Sequence, residues 1–593
     1  MAHKFVLSIA DYIVITIILI ISAGIGVYFR FSGGRQSTNE EYLLAGRDMP
    51  IFPVAFSLMA TFMSATTLMG IPAEMYLFGT HMAFMNIGFV LGPILASWLF
   101  LPIYFDIGAS TAFEYLENRF GKSIRRILST IFLFQCVLFS AVSLYAPAIA
   151  LSAVTSLPLW LAITSVGVVC TFYCTFGGIK AVLWTDVFQA ILMFVGILVI
   201  IVRGCMDVGG FSNVFKIANI GGRLTVPSLT IDISERYTML SVLIQGLVIT
   251  LASYGCSQVQ VQRLLTVKNF RHSVAAAVFS IPMISGFQLA CCLCGLIFYA
   301  VYRFCDPLSS AEKPLHSADQ LMPYYITNAL KDLPGLPGLC IAGIFSASLS
   351  TVSSSVNAMA AVIVEDFIRP IRPKYASSVL LSKFLTFFFG VLCVLLSFMG
   401  GVLGHLVKTT VLVVGLFYGV TLAIYLLASL STVTNEKGAI FGVLVGTCFG
   451  VYLSVISSQT VHEILPMSNE CPLQNQTHNL DTASSLSEPS MTEYTLNSTL
   501  PSFNSSIFEM KTSTNTLSYM WITPISFVVS LTTGYVSSLI FALIQDEPQD
   551  VPTIHLSPIR RRFCKDKMKV EAEQKINQQT TELNEITAKI TNA

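Results

Sequence analysis

The chain has 593 residues, 54% of them hydrophobic and 11% charged, with a mean hydropathy of +0.71 and a formal net charge of +1. A soluble domain carries about 25% charged residues, so this composition cannot coat a water-facing surface and implies lipid as the solvent. The near-neutral charge excludes nucleic acid or another polyanion as the main partner.

A membrane-spanning helix needs about 20 mostly apolar residues. Runs of that kind predict about thirteen spans. They lie near 11–29, 52–71, 82–105, 126–152, 159–176, 183–203, 239–256, 275–302, 338–363, 380–399, 402–429, 437–457 and 519–543. The first, Tyr12 to Phe29, has no small-residue cleavage site after it and reads as a retained helix.

Short loops set the orientation, because Lys and Arg are held in the cytoplasm. Arg30, Arg35 and Arg47 follow the first span, and Arg119, Lys122, Arg125 and Arg126 follow the third. Arg263, Lys268 and Arg271 follow the seventh, and Arg369, Arg372, Lys374 and Lys383 surround the gap after the ninth. These gaps share one parity, and the intervening gaps 72–81 and 153–158 contain no Lys or Arg. An extracellular amino terminus and a cytoplasmic carboxyl terminus are therefore predicted, in the plasma membrane.

Segment 458–518 then faces outward. It is rich in Ser, Thr and Asn and holds glycosylation sequons at Asn475, Asn497 and Asn504. The tail from Arg560 is basic, then Gln-, Glu- and Lys-rich, and reads as a solvated cytoplasmic segment with Arg560, Arg561, Arg562, Lys565, Lys567 and Lys569 near anionic headgroups. Most of the 14 cysteines, such as Cys136, Cys170, Cys291, Cys292 and Cys294, sit in apolar runs as small buried side chains. No cysteine or histidine spacing indicates a zinc site. Cys305 and Cys471 both fall outside by this topology, where an oxidising compartment permits a bond between them.

Polar groups inside apolar spans carry the functional signal, since each must be satisfied internally. The second span contains Ser57, Thr61, Ser64, Thr66 and Thr67, with Gly70 and Pro72 near its outer end. The ninth places seven hydroxyls within the twelve residues Ser346 to Asn357. Single hydroxyls of this kind ordinarily bond back to the preceding turn or let helices approach closely. A concentration of them also suits sodium, a hard cation that takes several oxygen ligands, as calcium does. Interrupted helices supply such oxygens in sodium-coupled transporters.

The stretch Cys170-Thr-Phe-Tyr-Cys-Thr-Phe-Gly177-Gly178-Ile-Lys180-Ala-Val-Leu-Trp184-Thr185-Asp186-Val-Phe-Gln189 resembles the signature of the solute:sodium symporter family. Glu41 to Arg47, Ser110 to Phe120, Tyr145-Ala-Pro147, Gln260-Val-Gln262-Arg263, Ala318 to Pro323, Pro334 to Leu339 and Glu365-Asp366 match in order. The resemblance covers roughly residues 10–460 and the last span. It implies an all-α membrane protein with the leucine-transporter-like fold, two inverted five-helix repeats plus extra helices. The implied division is 1–51 leading segment, 52–399 transport core, 400–457 additional helices, 458–518 extracellular glycosylated loop, 519–543 last helix and 544–593 cytoplasmic tail.

Within the family, Phe62-Met63-Ser64-Ala65 with Thr67 is most similar to the sodium-coupled monocarboxylate carriers, near the iodide and multivitamin carriers. The iodide carrier has glutamine at the position matching Thr67, and the vitamin carrier has alanine. The resemblance implies a main sodium site of backbone carbonyls from Ala60, Met63 and Ala347 and hydroxyls of Ser350 and Thr351. It implies a second sodium at Ser64, Thr67 and Tyr145, and a solute cavity lined by Phe62, Thr67, Met85, Phe89 and Tyr418. Three departures stand out. Tyr418-Gly419-Val420 replaces a Gly-Gly-Pro motif, Ser257 precedes Gln258 where relatives carry Asn, and Thr250 stands where the iodide carrier has tryptophan.

The expectation is sodium-coupled symport of a small organic anion such as lactate, pyruvate, a short-chain fatty acid or nicotinate, with Na+ the only metal. Iodide or the vitamins biotin and pantothenate are the alternative solutes, and a sodium-conducting channel is the alternative mechanism. No catalytic triad, HExxH or phosphate loop supports an enzyme. Asp186 reads as either a sodium-exit residue or an interfacial ion pair, and Glu114, Glu117 and Arg119 as a capping and salt-bridge cluster.

Overall fold

The computed structural model describes residues 7–31, 38–154, 158–310, 315, 317–399, 406–458, 464–468, 517–545 and 551–563. Among these residues the regular structure is helical, apart from one isolated bridge between Ser228 and Thr238. Among the described residues eleven helices are long and apolar enough to cross a membrane, or twelve if the sharply bent pair Asn39–Arg47 and Ile51–Phe62 is one span. Isoleucines 13 and 17, phenylalanines 384 and 387 and Leu543 stand exposed on the outer helices, as a lipid-facing surface requires.

Every expected apolar run has a helical counterpart, with two differences of form. Runs 159–176 and 183–203 are two helices that meet without a loop, within Leu159–Asp207, at a kink where Gly178 adopts φ 61°, ψ −169°. That positive φ suits glycine alone, and a Cβ there would come within 2.8 Å of the Tyr42 ring. The signature's Gly177-Gly178 pair is thus a hinge against Tyr42, whose hydroxyl donates to the Cys174 carbonyl at 3.3 Å.

The second run is not one helix but two. Ile51–Phe62 stops and Ala65–Phe78 starts, with Met63 at φ −88°, ψ 84° and Ser64 at φ −77°, ψ 172° between them. Gly70 and Pro72 lie inside the second half and do not cause the break. Ser64 takes the N-cap position of that half, a place serine favours, and its hydroxyl pairs with that of Thr66 at 2.6 Å. Five predicted spans later the pattern recurs. Met239–Cys256 and Gln258–Leu264 are separated by extended Ser257 (φ −83°, ψ 126°). A break in the leading helix of each five is what two matched repeats require.

The helix Leu336–Val362 runs through the interior, buried along almost its whole length. The helix Met239–Cys256 crosses Met85–Leu99 at glycines, where a Cβ on Gly246 would meet the Met85 carbonyl oxygen at 2.5 Å and one on Gly88 would run into the Gly246–Leu247 backbone. We expect Gly88→Leu to overpack this crossing at a cost of about 1–3 kcal/mol, read as a lowered melting temperature of the detergent-purified protein. Gly24→Leu, at a position with open space around it, should melt as the parent does.

One face carries the arginine cluster. Thr111 caps Ala112–Arg119, Glu114 accepts from the Ser110 N–H at 2.7 Å, and Arg125 pairs with Glu117 and, at 2.5 Å, with Asp366. Arg119 donates to the carbonyls of Ala428, Ser431 and Thr434 at 3.2, 2.9 and 3.1 Å, satisfying the end of Leu406–Leu430. Segment 551–563 docks on the same face, through Tyr115 to the His555 carbonyl and Ser557 to the Ser429 carbonyl, both at 2.9 Å. Arg561 is bound to Asp106 at 2.7 Å and does not extend as a free basic side chain. Asn475, Asn497, Asn504 and Cys471 lie outside the described residues; Cys305 is disulfide-bonded.

Candidate functional site

The two helix breaks converge on one cavity of about 140 Å³. Its wall brings together Phe62, Thr67, Met85, Phe89 and Tyr418, the five residues expected there, with Met63 and Ser64 from the first break and Ser253, Val259 and Gln260 flanking the second. No charged residue lines it among the described residues. Phe62 meets Phe89 edge-on at 5.2 Å between ring centres and lies 6.3 Å from Tyr254. The tyrosine at position 418 turns its hydroxyl toward Ser253, Ser257 and Gln135, adding a polar group where the family motif has glycine. Thr250 does not reach the cavity wall. It bonds back to the Gly246 carbonyl at 2.7 Å and packs where Gly92 leaves room.

The expected sodium ligands fall where the first break meets the central helix. A helix that ends at Phe62 leaves its last carbonyls without a following intrahelical N–H; Met63 N–H closes only the turn onto Met59, at 2.9 Å. The Ala60, Thr61 and Phe62 carbonyls are therefore available to another partner. Thr351 of the central helix approaches them, its Oγ1 lying 3.4 Å from the Thr61 carbonyl oxygen and 3.0 Å from that of Ala347. Ala60, Met63, Ala347, Ser350 and Thr351 are all buried. Of the seven clustered hydroxyls, Ser353, Ser354 and Ser355 bond back to carbonyls three or four residues earlier, while Ser348 reaches the Ser143 carbonyl at 2.7 Å. Thr351 and Ser354 both reach Thr61 of the first half-helix, Ser354 through the two hydroxyls at 3.0 Å, and Ser350 reaches Asp186.

Ser350 has a second partner that the sequence did not disclose. Its hydroxyl donates to Asp186 at 2.7 Å, and Asp186 also accepts from Ser57 at 2.5 Å and faces Arg263 at 3.5 Å. Arg263 in turn donates to Ser57 at 2.7 Å, to Ser354 and to the Val259 carbonyl. Both charged residues are fully buried. Asp186 lies about two turns beyond the Gly178 kink, against Ser350 of the hydroxyl cluster. Of the second proposed sodium set, Ser64 and Thr67 share the cavity wall; Tyr145 is part-exposed on its helix and is not on that wall.

Gln260 and Gln288 also line the cavity and were missed by reading for hydroxyl clusters. Gln260 Nε2 donates to the Leu58 carbonyl at 3.2 Å, tying the second break to the first half-helix. For Gln288 a lone amide within a long apolar run was the available signal.

The sequence model of the sodium:solute symporter family matches residues 42–446. The chain belongs to this family. It is 37% identical over 90% of its length to a Drosophila melanogaster protein, 87% covered, provisionally described as a sodium-dependent multivitamin transporter. Human sodium-coupled monocarboxylate transporter 1 is 34% identical, with 89% of this chain and 87% of that one aligned. The bovine sodium-coupled monocarboxylate transporter 2 is also 34% identical, over 93% of this chain and 87% of its own. A solved Na+-coupled sialic acid symporter, in a substrate-bound outward-open state, aligns with TM-score 0.73 over 92% of this chain and all of its own at 19% identity, a likeness of fold. The symporter identified by its family here is a multi-pass membrane protein of leucine-transporter-like fold. It couples solute movement to sodium and is a transporter, not an enzyme.

Proposed function

We propose that this symporter carries a small monocarboxylate inward with sodium across the plasma membrane. The observation that supports it most is an uncharged cavity of about 140 Å³ set against the carbonyls freed at Met63. An apolar cavity of about 150 Å³ accepts a molecule of benzene's size, which suits lactate, pyruvate, butyrate or nicotinate and is small for biotin. With no Lys or Arg on the wall, the solute carboxylate is held by amide and hydroxyl donors and by the sodium itself. The edge-to-face rings of Phe62 and Phe89 take its apolar body.

In this reading Thr351, Ser350 and the carbonyls of Ala60, Met63 and Ala347 hold the main sodium. The Thr351–Thr61 approach supports that assignment, and Ser64 with Thr67 is the remaining core of a second ion site. The residue divisions follow the expected ones, with the transport core over 52–399. The amino terminus is outside and the carboxyl terminus inside. Segment 458–518 carries sugars at Asn475, Asn497 and Asn504, and Cys305 pairs with Cys471. Asp306, next to Cys305, donates its N–H to the Ser468 carbonyl at 3.2 Å, which supports bringing the two cysteines together.

The test is uptake of labelled lactate, iodide and biotin in oocytes expressing the chain, in sodium and in choline. Saturable lactate uptake that stops in choline is the expected result. Saturable biotin or iodide uptake without lactate uptake would overturn the substrate assignment, and uptake that persists undiminished in choline would overturn coupling.

A further inference from the structure

We infer that Tyr418 sets the upper size limit of the solute: its ring closes the cavity toward the second helix break, and a side chain without that ring admits a longer monocarboxylate with a polar far end. This deepens the monocarboxylate reading above and rests on it. Tyr418 lies on the helix Leu406–Leu430, where Val411, Val414 and Tyr418 line the cavity at helical spacing. Residues 414–417 and 419–420 are buried, while Tyr418 between them keeps accessible surface, and the space it borders is the cavity. The helix has no room to draw back. A Cβ on Gly415 would run into Thr523 Oγ1, and one on Gly419 would lie 2.6 Å from the Thr523 carbonyl oxygen. Its backbone is already pressed against the last helix, Ile522–Gln545.

What the phenol stands in front of is polar. Its hydroxyl faces Ser253, Ser257 and Gln135. Ser253 and Gln135 are on the cavity wall, whereas Ser257, the extended residue of the second break, is not. The ring therefore separates the cavity from the break itself. A cavity of about 150 Å³ holds one benzene, and a core relaxes only partly around a lost side chain. Deleting the phenol thus opens roughly one benzene's volume beside the present cavity of about 140 Å³. The added space is lined by groups that have just lost the tyrosine hydroxyl. Buried hydroxyls and amides require partners, so that space suits a solute tail with donors and acceptors of its own, such as the cyclic urea of biotin, and not a plain alkyl chain. With the ring in place such a tail meets a steric block, the kind of repulsive element by which a site excludes a competitor.

The experiment expresses the full chain, Tyr418→Ala, Tyr418→Leu and Tyr418→Phe in oocytes, with uptake normalised to surface protein. The readout is the ratio of sodium-dependent biotin uptake to sodium-dependent butyrate uptake. The parent takes up butyrate and excludes biotin. Tyr418→Ala raises the ratio at least about 10-fold above the parent's background, the least that one ill-fitting methylene changes specificity. Tyr418→Leu, which removes the far half of the ring and keeps the wall apolar, shifts the ratio the same way. Tyr418→Phe keeps the ring and keeps biotin out, which separates size from the bonding of the hydroxyl. An unmoved ratio in the Ala and Leu variants overturns this inference and leaves monocarboxylate symport standing. So does biotin entry through the parent alongside butyrate or through Tyr418→Phe, and so does loss of all carriage in the Ala and Leu variants at parent surface levels. Sodium-driven uptake of biotin or iodide in place of every monocarboxylate by the parent overturns both.

Discussion

Replacing Thr351 by Ala will raise the sodium concentration for half-maximal uptake by about 10- to 100-fold, with the transporter still at the cell surface. The hydroxyl sits between the Ala347 carbonyl at 3.0 Å and the Thr61 carbonyl at 3.4 Å, at the mouth of the first helix break. An interaction with a charged partner contributes about 1.5–3 kcal/mol, and each 1.4 kcal/mol is about tenfold in affinity. Thr351→Ser retains the oxygen and should restore sodium activation, separating the ligand from the loss of a methyl group. Sodium titration of labelled-solute uptake reads all three proteins. Unchanged activation in Thr351→Ala would remove this residue from the ion site.

The largest loss of stability will come from splitting Asp186 and Arg263. Both side chains are fully buried; they share Ser57 of the first half-helix, and each has a further partner on the central helix, Ser350 for Asp186 and Ser354 for Arg263. Leaving one buried charge without its partner costs about 3–5 kcal/mol. Arg263→Met and Asp186→Asn should each lower the melting temperature of the purified protein and deplete it from the surface. The double variant removes both charges and should recover much of the loss in melting temperature. Single variants that melt with the parent would show that the pair is not what holds these four helices in register.

The fold was legible where lipid dictates composition. Each apolar run became helical, the second as two half-helices, and the small-residue stretch around Ser350 is buried along almost its whole length because only small side chains allow neighbours on every side. The breaks were not legible. Met63-Ser64 contains neither glycine nor proline, and Gly70 and Pro72, the residues that ordinarily punctuate a helix, sit inside an unbroken half. The break lies where Ser64 and Thr66 bond each other and where Thr351 of the distant central helix approaches the Thr61 carbonyl, a contact that no local pattern encodes. Asp186 was read as either a sodium-exit residue or half of an interfacial ion pair; its partner Arg263, 3.5 Å away, lies far along the chain, and no local pattern names it. Gln288 escaped notice because a single amide in a helix of 33 residues leaves no periodic signature; only its burial and its lack of partners distinguish it.

The central claim is that a dehydrated sodium ion sits at the Met63 break against the central helix. Cryo-electron microscopy of the purified protein in lipid, once in sodium and once in choline, tests it most directly. The account predicts an ion density bounded by the Ala60, Met63 and Ala347 carbonyls and the Ser350 and Thr351 hydroxyls in sodium, absent in choline. Those oxygens bonded only to one another in both conditions, with the sodium-dependent density elsewhere, would contradict it.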